Sequence, residues 1–275
     1  MPELPEVETT LRGIEPHIIN KKLEKVLIHN AKLRWPIPKQ VKKLEGKTVV
    51  KLMRRAKYLQ VFFDDGQSAV WHLGMSGSLR ICSAFEERKK HDHVEWQFDQ
   101  DTVLRYHDPR RFGALLWANL GEEPEQFDNL GPEPLPIYQE TTEFSGEWLF
   151  ERSRKKTSPI KTFIMDNKNV VGVGNIYANE SLFHAGIKPN KPAGRVSKQK
   201  YMQLAECIQD VLAKAIKQGG STLRDFVGGD GQPGYFQQEL FVYGRTGEPC
   251  KVCGSKIKEE KIGQRSTFYC GRCQR

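Results

Sequence analysis

MPELPEVE, residues 1–8, opens the chain and places a proline directly after the initiator methionine. Removal of Met1 would leave Pro2 as the N-terminus, with a secondary amine next to the carboxylate of Glu3. A secondary amine that attacks an aldehyde carbon gives a charged iminium directly, the electron sink that a lysine Schiff base also provides. The α-amino group titrates roughly two units below lysine, so more of it is the free nucleophile near neutral pH. The stretch therefore predicts a nucleophile at Pro2.

The same stretch begins the first predicted helix. Apolar residues recur at spacings of three and four from Leu4 to Ile14, which is the period of an amphipathic helix, and a proline suits a first helical turn. Glutamates crowd that turn, where the helix dipole favours anions. We expect the helix to end near Gly13 and Pro16. An ordinary N-terminal helix with acidic capping residues explains these features equally well.

Length and composition limit the class of protein. The chain has 275 residues and a formal net charge of +9, with a mean hydropathy of −0.60. It is long enough for two domains of ordinary size, and its basic charge favours a polyanionic partner. No apolar run approaches about 18 residues, and no signal-peptide pattern is present, so neither a membrane span nor secretion is indicated. Two of the six cysteines stand alone and four cluster near the C-terminus, which predicts reduced thiols and one metal site in a cytoplasmic protein.

Residues 22–118 have the pattern of a β domain. Short runs of β-branched and aromatic residues are separated by turn signals such as Asp-Gly. Strands are predicted at Val49–Met53, Tyr58–Phe63, Ser68–Leu73, Val94–Phe98 and Val103–Tyr106. Several short strands at this spacing indicate a β-sandwich or a flattened barrel.

Some residues in the β region are not required for strand packing. Lys57 lies at the start of a strand, where a solvated charge is the alternative interpretation. Met75 would be exposed in a glycine-rich turn, and His91 suits a hydrogen bond or a phosphate contact better than a metal. Arg110 and Phe112 share one loop, as expected of residues that intrude into a base stack. An interdomain contact would explain that loop as well.

The pattern changes in the second half of the chain. Residues 131–136 form a proline-rich linker, after which the periodicity becomes helical. The basic tract from Arg152 to Lys161, which includes Lys155 and Lys156, suits phosphates, although a solvated face is the alternative. Glycines precede a predicted helix start at Asn175, where backbone N–H groups can receive an anion.

Two further segments follow that helix. Ser197–Lys217 is the clearest helix of the sequence, with an apolar stripe, a serine cap and a Gly-Gly end. The glycine-rich segment 221–237 follows it, and we favour a lid over a pocket rather than a plain linker.

The C-terminus has metal-ligand spacing. Cys250 and Cys253 are separated by two residues, as are Cys270 and Cys273, and sixteen residues lie between the pairs. This spacing predicts a tetrahedral four-thiolate zinc site with no open position, so the metal is structural. The residues between the pairs predict a hairpin with Arg265 near its tip.

Eight motifs occur in order along the chain. They are PELPEVE, RRAKYL, HLGMSGSLR, KHDH, DPRRFG, LGPEPL, VGVGNIYANE and the four-cysteine hairpin. Together they resemble the formamidopyrimidine-DNA glycosylase family over essentially the full length. The resemblance implies a multidomain α+β fold with an N-terminal β-sandwich, a helix–two-turns–helix domain and a C-terminal four-cysteine zinc finger. The expected boundaries are 1–130, a linker at 131–136, a helical domain with its lid at 137–236, and a finger at 237–275.

The resemblance also implies an activity. The family members are bifunctional base-excision repair enzymes that remove oxidised purines such as 8-oxoguanine and formamidopyrimidines and then cut the strand by β,δ-elimination. Pro2 is implied to be the nucleophile at the deoxyribose C1′, and Glu3 the general acid/base. Lys57 is implied to contact a phosphate and assist elimination. Arg265 and Asn175 are implied to contact phosphates at the lesion.

Further residues are implied to bind DNA. Met75, Arg110 and Phe112 match the residues that fill the gap left by the flipped base. The other implied contacts are His91, Arg110 and one lysine of the pair Lys155 and Lys156. The implied partner is damaged double-stranded DNA, bound by a monomer with one structural Zn²⁺, no nucleotide cofactor and no membrane, in the bacterial cytoplasm and at the nucleoid.

Three alternatives remain at this point. An endonuclease VIII type enzyme would act on oxidised pyrimidines, but the context of Leu4 and the trio of Met75, Arg110 and Phe112 argue against it. A non-catalytic zinc-ribbon DNA-binding protein would have no use for an N-terminal Pro-Glu pair. A structural RNA-binding protein fits the charge but explains none of the ordered motifs. Relative activity on different lesions and the preferred opposite base are not determined by the sequence.

Overall fold

The computed structural model describes residues 2–219 and 240–275. Two compact units form, one reaching to Asp128 and the other comprising Asn129–Lys217 and the C-terminal residues. The predicted lid at 221–237 lies outside the described residues. No helix in the described part of the chain is long and apolar enough to cross a membrane.

The first helix, α1, spans Leu4–Ile18 and begins as its sequence predicts. The Glu3 backbone N–H donates to Glu6 Oε2 at 2.8 Å, which satisfies one of the amides that a helix start leaves unpaired. The expected end near Gly13 and Pro16 is wrong, because the helix continues through both. A proline in the last turn removes a single helical hydrogen bond, while the extra turn buries Ile18 completely.

Eight strands of the first unit form two antiparallel sheets. The strands are β1 (Lys25–Ile28), β2 (Val49–Arg55), β3 (Tyr58–Phe63), β4 (Ser68–His72), β5 (Ser78–Cys82), β6 (Asp92–Gln97), β7 (Val103–His107) and β8 (Ala114–Ala118). One sheet has the order β1-β6-β7-β5 and the other the order β2-β3-β4-β8. All five predicted strands are present, and β1, β5 and β8 are additional.

Aromatic rings join the two sheets into a sandwich. Trp71 of β4 lies 5.4 Å from Trp96 of β6 and 5.0 Å from Tyr106 of β7, measured between ring centroids. Phe63 of β3 lies 5.9 Å from Trp96. All four rings are almost fully buried, so the core of this unit is formed by large apolar side chains from both sheets. The predicted N-terminal β-sandwich is confirmed.

A buried ion pair connects α1 to β2. Glu8 Oε2 accepts a hydrogen bond from Arg54 Nε at 3.1 Å, and the two side chains are 1% and 0% exposed. Arg54 Nη1 also donates to the carbonyl of Ala56 at 3.0 Å. Ala56 has a φ of 54° in the two-residue turn between β2 and β3, and Lys57 is the other residue of that turn. The pair thus connects the first helix to the turn that carries Lys57.

The described part of the second unit contains four α-helices and a β-ribbon. The helices are α2 (Gly146–Ser153), α3 (Ile160–Met165), α4 (Asn175–His184) and α5 (Lys198–Lys217), and the strands β9 (Ile257–Ile262) and β10 (Arg265–Cys270) pair as an antiparallel hairpin. The helix predicted at Ser197–Lys217 is confirmed as α5. Residues 131–134 pack within this unit, since Gly131 N–H donates to the Asn167 carbonyl. The α+β fold class is confirmed.

Breaking the buried ion pair should destabilise the protein strongly. In Arg54→Met, the Glu8 carboxylate in α1 loses the buried Arg54 guanidinium and keeps the half-exposed Arg12, whose Nε donates to Glu8 Oε1 at 2.8 Å, so the change costs up to about 3–5 kcal/mol of unfolding free energy. Urea unfolding at pH 7 measures the loss. The double variant Glu8→Gln/Arg54→Met should recover part of it, because no uncompensated charge remains, and equal losses in the single and double variants would contradict this account.

Candidate functional site

The N-terminal residues lie immediately before α1. Pro2 is half-buried, and Glu3, the N-cap residue, is 2% exposed. A buried carboxylate therefore follows the proline directly. Lys57 is half-buried in the turn between β2 and β3. Arg54 of β2, the partner of Glu8 in α1, holds this turn by donating to the Ala56 carbonyl. In the first unit, one helix thus controls both segments that carry the predicted catalytic residues.

Met75, Arg110 and Phe112 line one cleft, which has a volume of about 720 Å³. The Arg110 guanidinium lies 5.1 Å from the centre of the Phe112 ring, and this ring is 46% exposed although it is large and apolar. Exposed apolar side chains of this size cost free energy in water unless a ligand covers them. We call these three residues the wedge.

Asp108 holds both loops that carry the wedge. Its buried carboxylate accepts hydrogen bonds from Ser76 Oγ at 2.7 Å, from Tyr106 Oη at 3.0 Å and from Gly113 N at 2.9 Å. Ser76 follows Met75, and Gly113 follows Phe112. Burial and this carboxylate raise the pKa of Tyr106 far above its ordinary value, so the phenol remains a hydrogen-bond donor. One carboxylate therefore connects the wedge loops, a role that the sequence motif does not reveal.

Glycine allows the two wedge loops to touch. Gly74 has a φ of +66°, and a side chain there would collide with the backbone of Phe112 and Gly113. A left-handed conformation and a close backbone approach are the two conditions that favour glycine over other residues. Gly74, directly before Met75, and Gly113, directly after Phe112, therefore allow the two loops to approach each other.

His72, at the end of β4, lines the cleft beside the wedge and was not singled out from the sequence. Its Nδ1 accepts a hydrogen bond from Gly74 N at 3.0 Å. Burial, together with the nearby charges of Arg34 and Lys57, lowers the pKa of His72 to about 4. The ring is neutral near pH 7 with its proton on Nε2, so it can donate a hydrogen bond from Nε2 without first taking up a proton.

Arg34 and Lys32 also line this cleft, and the sequence patterns did not indicate either of them. Arg34 N–H donates to the Gly113 carbonyl at 3.0 Å, and its guanidinium lies 4.6 Å from the centre of the Trp35 ring. With Arg110, these side chains give the cleft a positive lining that suits a phosphodiester.

The histidines around position 91 form no metal site. His91 is half-buried, and its carbonyl accepts a hydrogen bond from the Asp108 N–H at 3.0 Å. In the described part of the chain, the group of three or more metal-ligating side chains consists of the four C-terminal cysteines. The interpretation of His91 as a ligand, already disfavoured by the sequence, has no support.

In the second unit, α4 holds the C-terminal hairpin through polar side chains. Asn175 Nδ2 donates to the Ser266 carbonyl at 3.0 Å, and Asn179 Oδ1 accepts from Phe268 N at 2.7 Å. Glu180 accepts three backbone N–H bonds, from residues 241, 242 and 243, at 2.8–3.0 Å. Asn175 was predicted to contact phosphate. Its amide has a second N–H that can do so.

The basic tract divides into structural and exposed residues. Lys161 is 1% exposed, and its Nζ donates to the Ser266 carbonyl at 3.0 Å and to Thr267 Oγ1 at 2.7 Å. Arg154 stacks at 3.9 Å on Phe150, and Arg152 stacks on a tryptophan. These three cations contact other residues of the second unit. Lys155 and Lys156, which follow α2, are exposed. Lys161 therefore positions the hairpin and is not a surface phosphate ligand.

The four cysteines have the geometry of a tetrahedral metal site. Cys250 Sγ lies 3.9 Å from Cys273 Sγ, Cys253 Sγ lies 3.4 Å from Cys270 Sγ, and all four sulfurs lie within 4.8 Å of one another. A tetrahedron with Zn–S bonds of about 2.3 Å has sulfurs about 3.8 Å apart. The residues fit one zinc ion, which would be held by thiolates alone and would supply folding free energy without an open position for chemistry.

Arg265 is the exposed first residue of β10. The preceding two-residue turn contains Gly263 and Gln264, both with positive φ, as expected for a tight hairpin. The predicted hairpin with Arg265 near its tip is confirmed. The adjacent Ser266 carbonyl accepts hydrogen bonds from Lys161 and Asn175, so the backbone next to Arg265 is fixed.

Chemistry at a sugar carbon of a duplex requires that the nucleotide leave the stack and that something fill its place. A cleft lined by Met75, Arg110 and Phe112, followed along the chain by a helical domain and a zinc finger, is the arrangement that a DNA glycosylase needs. Three family models match: the formamidopyrimidine-DNA glycosylase N-terminal domain at residues 1–115, its H2TH (helix–two-turns–helix) domain at 130–227, and a zinc finger found in FPG and IleRS at 247–275. The chain belongs to the formamidopyrimidine-DNA glycosylase family and is a DNA glycosylase with AP lyase activity in base-excision repair.

Individual relatives are similar to this chain over its whole length. Formamidopyrimidine-DNA glycosylase of Pseudomonas aeruginosa (strain LESB58) is 56% identical, with 100% of each chain covered. The structure of Lactococcus lactis Fpg (MutM) with DNA containing N7-benzyl-Fapy-dG has a TM-score of 0.90 and 36% identity over 100% of both chains. A structure of MutM with DNA containing carbocyclic 8-oxo-G has the same scores and coverage. The predicted family, enzyme class and zinc finger are confirmed, and the non-catalytic alternatives are not favoured.

The depressed pKa of His72 predicts a pH-dependent stability. The pKa lies near 4 in the folded state and near 6.5 ordinarily, so the unfolded state binds more protons between these values. The free energy of unfolding should therefore rise with pH from about 4 to 6.5, by up to about 3 kcal/mol from this group. Urea unfolding of the wild type and of His72→Asn measures it. The two stability curves should converge on acidification, and parallel curves would contradict the assignment.

The buried Lys161 predicts a local effect on the hairpin. Lys161→Met removes one of the two donors to the Ser266 carbonyl and the lysine donor to the Thr267 hydroxyl, which costs about 1–3 kcal/mol. Amide hydrogen exchange in β9 and β10 should accelerate, and the melting temperature should fall. Lys156→Met, at an exposed lysine of the same tract, is the matched control and should change neither. Unchanged exchange in Lys161→Met would show that Lys161 does not hold the hairpin.

Proposed function

We propose that the chain excises oxidised purines, namely 8-oxoguanine and formamidopyrimidines, from damaged double-stranded DNA and then cuts the strand. The single observation that carries the proposal is Pro2, the N-terminus once Met1 is removed, followed by a buried carboxylate at the start of α1. It is supported by the DNA in the related structures, which contains N7-benzyl-Fapy-dG in one and carbocyclic 8-oxo-G in another.

Pro2 acts as the nucleophile and Glu3 as the general acid/base. The Pro2 nitrogen bonds to C1′ while the bond between C1′ and the base breaks, and the base leaves with that electron pair and receives a proton. Glu3 opens the sugar ring by proton transfer, which leaves an iminium between Pro2 and C1′. The low exposure of Glu3 and its position directly after Pro2 support this role, because both keep the carboxyl group next to the reacting amine.

Strand cleavage follows from the iminium. The cationic carbon acidifies the C2′ proton, whose loss expels the 3′ phosphate, and a second elimination expels the 5′ phosphate. Lys57 contacts a phosphate and assists these eliminations. The support is its place in a turn fixed by Arg54 and Glu8, since a positioned cation stabilises a leaving phosphate better than a mobile one.

The wedge keeps the helix open after the nucleotide leaves it. Met75, Arg110 and Phe112 fill the gap left by the flipped base, and Arg110 also contacts the DNA. Their common cleft and the stacking of Arg110 on Phe112 support this assignment. His91 contacts the backbone beside them.

Phosphate contacts in the second unit come from Arg265, Asn175 and one lysine of Lys155 and Lys156. The exposure of Arg265 and of both lysines supports these roles. The hydrogen bonds from Lys161 and Asn175 to the carbonyl of Ser266, the residue after Arg265, support them as well. The zinc site holds the hairpin that presents Arg265.

We further propose that the enzyme works as a monomer on DNA without a nucleotide cofactor, in the bacterial cytoplasm and at the nucleoid. A net charge of +9 supports the polyanionic partner, and six cysteines without a disulfide support a reducing compartment. We keep the domain boundaries at 1–130, 137–236 and 237–275, with a linker at 131–136.

The test concerns the Pro2 nitrogen. An uncleaved N-terminal tag converts this amine into an amide and removes its nucleophilic lone pair, so excision and strand cleavage should both be lost while DNA affinity persists. Borohydride should trap the untagged enzyme covalently on 8-oxoguanine duplex, with the adduct mapping to Pro2. Full activity of the tagged enzyme would overturn the mechanism, since Lys57, the rival nucleophile, is indifferent to the tag.

Two controls separate the steps. Glu3→Gln should lose base excision but keep some cleavage of preformed abasic sites, because an abasic aldehyde needs only a free amine. A duplex panel with 8-oxoguanine, a formamidopyrimidine, thymine glycol and an abasic site tests the substrate class. Faster incision at thymine glycol than at both purine lesions would indicate a pyrimidine-specific enzyme.

A further inference from the structure

Three imidazoles lie together at one end of the sheet β1-β6-β7-β5. The ring centroid of His91 lies 6.2 Å from that of His93 and 5.9 Å from that of His107. His93 is buried, and its Nε2 hydrogen bonds to the Asp108 carbonyl at 2.8 Å. His91 and His107 are both half-buried, so these two rings share the surface.

Asp92 determines how His107 is presented. Asp92 of β6 pairs with His107 of β7, and Asp92 Oδ1 lies 2.8 Å from His107 Nδ1. The Asp92 carboxylate is completely buried and also accepts two hydrogen bonds from Arg80, at 3.0 and 2.8 Å. Burial opposes the charge of Asp92, but the hydrogen bonds from His107 and Arg80 outweigh it and hold the Asp92 pKa well below its ordinary value. Because an ionised carboxylate only accepts, Nδ1 of His107 carries a proton.

The other ring nitrogen of His107 has no partner within the described ranges 2–219 and 240–275, where the hydrogen bond of this side chain is the one to Asp92. The side chain is 25% exposed. A ring fixed through Nδ1 on a buried anion, with Nε2 at the surface, is ready to donate a hydrogen bond from Nε2 once it is protonated.

The surroundings favour an anionic ligand. Charged side chains from every neighbouring element meet near His107: Arg80 of β5, Asp92 and Glu95 of β6, Arg105 of β7, and Glu86 and Arg88 of the loop before β6. The carboxylates among them are engaged, Asp92 and Glu86 by Arg80 and Glu95 by Arg105. The exposed charges in the adjoining loops include Lys89, Lys90 and Arg110, together with Glu86 and Glu87, of which Glu86 is engaged by Arg80.

We propose that His107 is a further ligand for a DNA backbone phosphate, acting beside His91, with its imidazolium held at Nδ1 by Asp92 and donating from Nε2 to a phosphate oxygen. The inference rests on the proposed function, which places DNA against His91 and Arg110. A charge-assisted hydrogen bond of this kind adds affinity regardless of base sequence. A protonated imidazole carries a charge that a neutral one lacks, so this contact should weaken as the pH rises.

His107→Asn tests the inference with little disturbance. An asparagine amide can still donate to Asp92, as Nδ1 does, but it has no second donor at the position of Nε2. The measurement is the affinity for a duplex with an uncleavable abasic analogue, at several salt concentrations and at pH 6, 7 and 8. At pH 6 the variant should bind about 3–10-fold more weakly, and its salt dependence should fall by about one phosphate contact. The loss should shrink towards pH 8.

Three further variants make the result specific. His107→Gln places a neutral donor near the position of Nε2, so it should bind between the wild type and His107→Asn without the pH dependence. This variant also keeps the test valid if the asparagine variant does not fold. His17→Asn, at an exposed histidine in the last turn of α1, is the matched control and should match the wild type. His91→Ala reports whether DNA reaches this surface.

The outcomes distinguish the inference from the proposed function. If His91→Ala weakens binding while His107→Asn keeps the wild-type affinity and salt dependence at all three pH values, the inference is overturned and the proposed function stands. If the wild type does not bind the lesion duplex, the proposed function fails first. Equal loss at every pH, with a lowered melting temperature, would assign His107 a structural role and would also overturn the inference.

Discussion

The buried ion pair between Glu8 and Arg54 is the interaction on which the catalytic end of the first unit depends. Two charges removed from water cost several kilocalories per mole each, and that cost is offset by their mutual hydrogen bond and by the bonds from Arg12 to Glu8 and from Arg54 to the Ala56 carbonyl. Neither helix α1 nor strand β2 can therefore shift without exposing or orphaning a charge. Since Arg54 also holds the Ala56 carbonyl, the constraint reaches the turn that carries Lys57. A feature of folding stability thus sets the position of a residue proposed for elimination.

Buried carboxylates organise the functional loops elsewhere too. Asp108 binds a hydroxyl or an amide from each wedge loop, and Glu180 binds three successive amides after residue 240. Loop backbones lack the internal pairing of helices and strands, so a buried acceptor that satisfies several N–H groups at once is an efficient way to fix one conformation. Arg110 and Phe112 can then remain exposed on loops of defined conformation.

The second unit fixes its hairpin from two sides. Four thiolates that fit zinc hold the ends of β9 and β10, while Asn175, Asn179 and Lys161 hold β10 from the helices. A hairpin of two short strands is marginal by itself, so both anchors are needed for a defined Arg265. This explains why a lysine within a basic tract is buried.

Local patterns determined much of this protein. Alternation predicted five strands, periodicity predicted α5, cysteine spacing predicted the metal site, and ordered motifs predicted the family, because each signal arises from residues close in sequence. Strands β1, β5 and β8, the continuation of α1 past Pro16, and the roles of His72, Asp108 and Lys161 were decided by tertiary structure. Their partners lie on other elements, such as Arg34 for His72, Ser76 for Asp108 and Ser266 for Lys161. Burial and electrostatic environment depend on such distant neighbours, which no local spacing specifies.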